Sequence, residues 1–151
     1  MANQNLNLTT AGISAVMRSS RTFPAGFPIE DFADGEAITS GNVPIGDVVI
    51  GVDGRGAAWT ILSPKPVTLT LFGASPAAKN LLLLAQAMEE GALSGAENEE
   101  LELVITLPAQ KMVVTYSAGI MTEYPSIPAI KNRVDNMQFS FKFVKASSVS
   151  I

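Results

Sequence analysis

Three glycines crowd into the stretch "VVIGVDGRGAAW": Gly51, Gly54 and Gly56, beside Asp53 and Arg55. Residues of these types support three kinds of chemistry. Glycine-rich loops cradle phosphates, loop carboxylates hold calcium, and Asp-Gly pairs turn hairpins. A Walker loop requires Gly-Lys-Ser/Thr running into a helix, and a dinucleotide loop also opens a helix. Gly56 leads instead into "AAWTIL", a strand-like run. A calcium loop requires several spaced oxygen ligands; here one carboxylate is followed by an arginine. The reading that survives is a hairpin turn in which glycine supplies positive φ.

The other reactive residue types meet the same fate. Asp31, Asp34 and Glu36 in "EDFADGE" could form a carboxylate pair for glycoside hydrolysis. Few aromatics are present to stack a sugar, so a solvated loop is expected. Glu97, Glu99, Glu100 and Glu102 could hold a cation, but read better as a solvated loop and strand face. Serines, threonines, tyrosines and lysines fall into no nucleophile arrangement. Phe139, Phe141 and Phe143 alternate as base-stacking aromatics do, yet the chain is acidic, and a buried sheet face is the expected role. No catalytic residue, metal ligand or cofactor is assigned, and no enzymatic activity is expected.

Composition sets the frame for these residues. The 151 residues suit a single domain, 1–151, and a hydrophobic content of 47% is enough for a packed core. With no cysteine and no histidine, disulfides, thiolate chemistry, most zinc sites and histidine general bases are excluded. A net charge of −4 removes the electrostatic case for gripping nucleic acid. "NLLLLAQAM" is too short to span a membrane, and "MANQNLNLTT" lacks a signal-peptide pattern. A soluble protein made in a cytoplasm is expected.

The elements that must position everything are mostly strands. Ala11, Ile13, Ala15 and Met17 alternate over residues 11–18. A short edge strand is expected at 29–32, and residues 33–46 are expected to be loop, broken by Gly35, Gly41, Pro44 and Gly46. Residues 48–52 and 57–62 flank Asp53-Gly54 as hairpin strands. Val67, Leu69 and Leu71 share one strand face. A helix follows over about 76–90, capped by Ser75, opened by Pro76 and closed by Gly91, with Ala77, Leu81, Leu84 and Met88 on one face. Lys79 near its start and Glu89 and Glu90 near its end each oppose the helix dipole, at about 0.3–1 kcal/mol. Alternation returns at Leu101, Leu103, Ile105 and Leu107, then at Met112, Val114 and Tyr116. Residues 119–128 look broken, and a last strand covers "MQFSFKFVK". The pattern predicts a mainly β fold, an antiparallel β-sandwich or barrel with one flanking α-helix.

One excess is left over. The segment at about 35–58 is rich in glycine and proline, yet it carries Ile38, Val43, Ile45, Val48, Val49, Ile50 and Val52. Apolar residues on such a segment point to contact with partners. These seven are the predicted inter-subunit contacts, and residues 40–56 are expected to be loose in a free subunit.

The order of motifs is itself informative. "DFADGEAIT", then "GVDGRGAAWTIL", then "PVTLTLFGASPAAKNLLLL" resembles tail tube proteins of contractile-tailed bacteriophages. The matching positions are Asp34-Gly35, Gly51 to Gly56, Val67 to Leu71, Ser75-Pro76 and Leu81 to Leu84. The resemblance implies hexameric rings stacked into a hollow inner tube within a contractile sheath, a conduit for DNA ejection. Related folds form type VI secretion tubes. It implies as partners further copies of the chain, the sheath protein, and baseplate and tail-terminator proteins. DNA would pass through the lumen without specific binding. The location implied is the virion tail, after assembly in the host bacterial cytoplasm. Two alternatives stand beside it: a tube initiator or baseplate subunit of the same fold, and a small carbohydrate-binding or hydrolytic β-domain resting on the acids at 30–36.

Overall fold

Period-two alternation in the sequence becomes a sheet with one buried face. The computed structural model describes residues 12–32, 37–128, 130 and 132–150. The elements are β1 (Ser14–Ser19), β2 (Phe27–Ile29), β3 (Ile38–Ser40), β4 (Gly46–Ile50), β5 (Gly56–Thr60), β6 (Lys65–Phe72), α1 (Pro76–Ser94), β7 (Leu101–Leu107), β8 (Met112–Glu123) and β9 (Asn136–Ser150). Seven of the strands form one antiparallel sheet in the order β2-β1-β7-β8-β9-β6-β3, curled into a half-barrel. β4 and β5 form a separate two-stranded sheet.

The predicted core faces lie inward. Ala15 and Met17 of β1, Val67, Leu69 and Leu71 of β6, and Leu101, Leu103 and Ile105 of β7 are buried. So are Met137, Phe139, Phe141 and Phe143 of β9, which supply the sheet's aromatic ridge. Helix α1 lies across the mouth of the half-barrel. It touches β2 at one side of the sheet and β6 near the other, and it buries Ala77, Ala78, Leu81 and Leu84 in the same core.

Local chemistry explains where α1 starts. The Ser75 hydroxyl accepts the N–H groups of Ala77 and Ala78 at 3.1 and 3.3 Å, and Pro76 occupies the first turn without wasting a donor. Its end corrects the sequence reading. The helix runs past Gly91 to Ser94, and Gly95, at φ 76°, makes the left-handed exit. The Ala96 N–H reaches back to the Gly91 carbonyl at 2.9 Å, and the Gly95 N–H to that of Ala92 at 3.3 Å. Gly91 lies within the last turns, and a Cβ there would sit 3.2 Å from Arg21 Nη2, the end of a flexible side chain. Glu89 is engaged by Tyr124, whose hydroxyl donates to its Oε1 at 2.9 Å; that bond holds the phenol proton and raises the tyrosine pKa.

Leu84 is fully buried where α1 meets the sheet. Leu84→Ala is expected to cost about 2–5 kcal/mol in chemical denaturation, since it removes buried methylenes and leaves a cavity. A change near zero would show that this face of α1 does not hold the sheet.

Four further expectations need correction. The stretch 33–46 is not all loop: β3 pairs with β6, with Ile38 opposite Leu69 and Ser40 opposite Val67. The edge strand expected at 29–32 lies earlier, at Phe27–Ile29, while Phe32 makes a single bridge to Leu71. β8 does not break at Gly119 but continues to Glu123. β9 runs on to Ser150.

Candidate assembly surface

The glycine cluster that opened the sequence builds a turn from its own residues. Gly51 N–H donates to the Arg55 carbonyl at 2.8 Å, and Gly54 N–H to the Gly51 carbonyl at 2.9 Å. Asp53 Oδ1 accepts the Arg55 N–H at 3.1 Å, and Gly54 takes φ 82°. Asp53 and Arg55 also pair at 3.7 Å, but both side chains are exposed, so the pair contributes little stability.

The hairpin it closes is unusual in its exposure. Every residue of β4 and β5 is exposed. The register sets Val48 against Ala58 and Ile50 against Gly56 on one face, and Val49 against Ala57 and Asp47 against Trp59 on the other. Both faces are therefore apolar, and neither packs into the core cluster. Ile50 is 72% exposed and Val48 63%. A two-stranded hairpin in water is marginal by itself.

The structure brings five of the seven predicted contact residues together here. Ile45, Val48, Val49, Ile50 and Val52 lie on the hairpin or directly against its ends, all exposed. Val43 is half-buried just before it. Ile38 stands apart, in β3, where it packs against the protein's own core. Two exposed apolar residues were missed: Trp59 on β5, and Leu62, 95% exposed, at the hairpin's exit. The segment expected to be loose, 40–56, contains β4 and the start of β5, and the two hairpin strands lie at 46–50 and 56–60 rather than at the expected 48–52 and 57–62.

Beside the hairpin's exit lies an open groove of about 690 Å³, walled by Leu62, Pro64 and Lys65 on one side and Val144 and Ala146 on the other. Lys65 Nζ spans it, donating to the carbonyls of Ser63 at 3.1 Å and Val144 at 3.0 Å. Above this point β9 has outrun β6, whose last partner is Phe143, so residues 145–150 pair in register only with β8. β2 and β3 end the main sheet at its two sides. Unpaired strand edges of this kind template further pairing.

The acidic candidates form no such constellation. Asp31 takes φ 59°, and its carbonyl accepts the Phe72 N–H at 3.0 Å beside the Phe32–Leu71 bridge, so its backbone ties this segment to β6. Asp34 and Glu36 lie outside the described residues. Of the second cluster, Glu97, Glu100 and Glu102 are not buried, but Glu99 is, which corrects its expected place on a solvated face. Among the described residues no three carboxylates gather as a cation site, and no helix is long and apolar enough to cross a membrane.

Three solved structures illustrate what this fold is similar to. A chain of the sheath/tube terminator of an extracellular contractile injection system, in its extended state, superposes with a TM-score of 0.64 at 12% identity, over 98% of this chain and 100% of that one. A chain of the 6-fold symmetrised anti-feeding prophage baseplate gives 0.60 at 14% identity, over 99% and 98%. A chain of the sheath–tube complex of the first system, also extended, gives 0.57 at 12% identity, over 91% and 88%. At these identities the likeness is one of fold. No curated protein matches the chain by sequence. The sequence profile of one family does match, across residues 6–147, nearly the whole chain. The chain therefore belongs to the family described as tail fiber protein gp32, and it carries the fold of contractile-tail tube proteins.

Proposed function

We propose that this chain is a non-enzymatic structural subunit of a contractile tail, stacking as hexameric rings into the inner tube through which DNA is ejected. The observation that carries the reading is the β4–β5 hairpin, exposed and largely apolar on both faces and outside the core cluster of the described residues, on a fold shared with tube, terminator and baseplate chains. A self-complementary ring offers such an element a neighbour at every position. A contact that is weak once is multiplied by effective concentration when repeated around a ring. The family's description names a tail fibre; the likeness in fold to tube, terminator and baseplate chains supports the tube reading. Partners on this reading are further copies, the sheath, and baseplate and terminator proteins. The acidic chain lets DNA slide past without gripping it. The site is the virion tail, with assembly in the bacterial cytoplasm.

The likeness to a terminator and to a baseplate chain supports a second reading, a tube initiator or end piece of the same fold. Copy number per particle separates the two: many copies along the tail for a tube protein, one or two rings for an end piece.

Electron microscopy of the purified chain is expected to reveal rings or tubes of constant diameter. Hydrogen exchange over residues 40–60 is expected to slow on assembly, and Ile45→Asp to weaken it. A strictly monomeric protein across concentration and salt, together with no tubes in native particles, would overturn the reading. Equal exchange in both states, with normal tubes from Ile45→Asp, would exclude this hairpin as the contact.

A further inference from the structure

Among the described residues Glu99 is the only charged side chain that is buried, at 2% exposure. It sits in the connection between α1 and β7 and reaches across to the β1–β2 turn. Its Oε1 accepts the backbone N–H of Arg21 at 3.1 Å and that of Thr22. The hydroxyls of Thr22 and Ser19 face the carboxylate and favour its charged form. Around this centre the two segments are stitched further. Ser20 N–H donates to the Glu100 carbonyl at 3.1 Å, Glu100 N–H donates to Ser20 Oγ at 3.2 Å, and Arg21 Nη2 donates to the Glu97 carbonyl at 2.9 Å.

We propose that Glu99 is an acid-released latch: as a carboxylate it holds the β1–β2 turn onto the α1–β7 connection, and on gaining a proton it frees that corner. Two N–H groups and two hydroxyls converge on it, so the site is built for an acceptor-only ion. A proton adds a fifth donor where acceptors are scarce. The Ser19 hydroxyl already accepts the Phe23 N–H at 2.7 Å.

The charged groups facing Glu99 are few. Arg21 comes from the turn, and Glu97 and Glu100 flank it in the connection. Arg18 and Glu102 sit opposite each other further along the β1–β7 ladder. The Arg21 guanidinium is turned to the Glu97 carbonyl, so donors hold Glu99 rather than a counter-ion. Burial pushes the Glu99 pKa up, but the bonds from Thr22, Ser19 and Arg21 outweigh it, and the net direction is down. A depressed carboxylate pKa stabilises the fold above the unfolded-state value, and that contribution is lost as pH falls through the folded value. The latch therefore opens in the acid range below the ordinary glutamate pKa. β2, which follows the turn, ends the sheet on that side, so release is felt first at an edge open to neighbours. That last step rests on the assembly reading; the latch does not.

The test is an NMR titration of the full chain as a dilute subunit. The Glu99 carboxyl carbon is expected to titrate below ordinary glutamates. Across that titration the Arg21 and Thr22 amides should lose protection by about tenfold or more, after correction for intrinsic exchange rates. In Glu99→Gln both amides should exchange fast at every pH, with no step; Glu100→Gln, at an exposed neighbour, should keep the step. A Glu99 that titrates at or above the ordinary value, or a step that persists in Glu99→Gln, overturns the proposal. If Glu99→Gln does not fold, the wild-type carboxyl titration and the two amides decide alone. Tube formation plays no part in the readout, so failure of the latch is distinct from failure of the assembly reading.

Discussion

Replacing Gly119 by valine is expected to cost about 4 kcal/mol or more, or to leave no folded subunit at all. The reason is space, not backbone conformation. A Cβ at this position would lie 2.2 Å from Phe143 Cδ1, 2.6 Å from its Cε1 and 2.8 Å from the Lys142 carbonyl oxygen. The ring has nowhere to retreat. Phe143 is fully buried, with the Tyr116 ring 5.3 Å away and the Phe141 ring 6.2 Å away, centroid to centroid. Overpacking by a methylene or two costs about 1–3 kcal/mol when neighbours can yield; here one obstacle is a packed ring and another is backbone. Urea denaturation of Gly119→Ala, Phe143→Leu and the double variant checks the mechanism. Phe143→Leu should recover part of the alanine variant's loss, giving a coupling of about 1 kcal/mol or more. A loss below about 1 kcal/mol in Gly119→Val would show that the β8–β9 ladder opens easily at this point.

The second large effect is expected in assembly rather than in stability. Val49 and Ile50 point to opposite faces of the β4–β5 hairpin, and both are exposed. The double variant Val49→Asp/Ile50→Asp should leave the subunit's denaturation midpoint almost unchanged, within about 0.5 kcal/mol of wild type. If neighbouring copies cover the hairpin, each aspartate becomes a buried charge with no partner, at a cost of about 2 kcal/mol or more. The concentration needed for tubes should then rise by about a hundredfold or more. Sedimentation and electron microscopy read this directly. Tubes at the wild-type threshold would mean that the hairpin faces solvent in the particle.

These two residues mark the range of what the sequence made legible. β1, β6, β7 and the first half of β9 could be read because each has one face in the core, so alternation records burial directly. α1 could be read because Ser75, Pro76 and four apolar positions agree. Gly119 could not. A glycine required for the space beside a distant ring looks the same in sequence as one that ends a strand, and its partner lies 24 positions away. β3 was hidden because three residues carry no period of their own; pairing with β6 defines them. Glu99 was hidden because its burial depends on donors at 19–22, which only the fold brings to it. At the candidate surface the aliphatic residues stood out against their glycines and prolines. Trp59 and Leu62 did not, since an apolar residue in a strand is ordinarily a core residue.

The strand order also governs when the subunit can exist. β1 pairs with β7 across most of the chain, and β6 waits for β9, with Thr68 opposite Ser140 and Leu69 opposite Phe139. β9 lies in the middle of the sheet, between β8 and β6. A ribosome that has released only the first hundred residues has made the hairpin and the helix, but not the strand that joins the two halves of the sheet. Sheets built from such distant pairings fold in milliseconds to seconds, after their loops have paid the closure entropy. The apolar hairpin is therefore displayed on a nascent chain before there is a folded body to direct it. The interval of that exposure is set by the time it takes residues 136–150 to arrive.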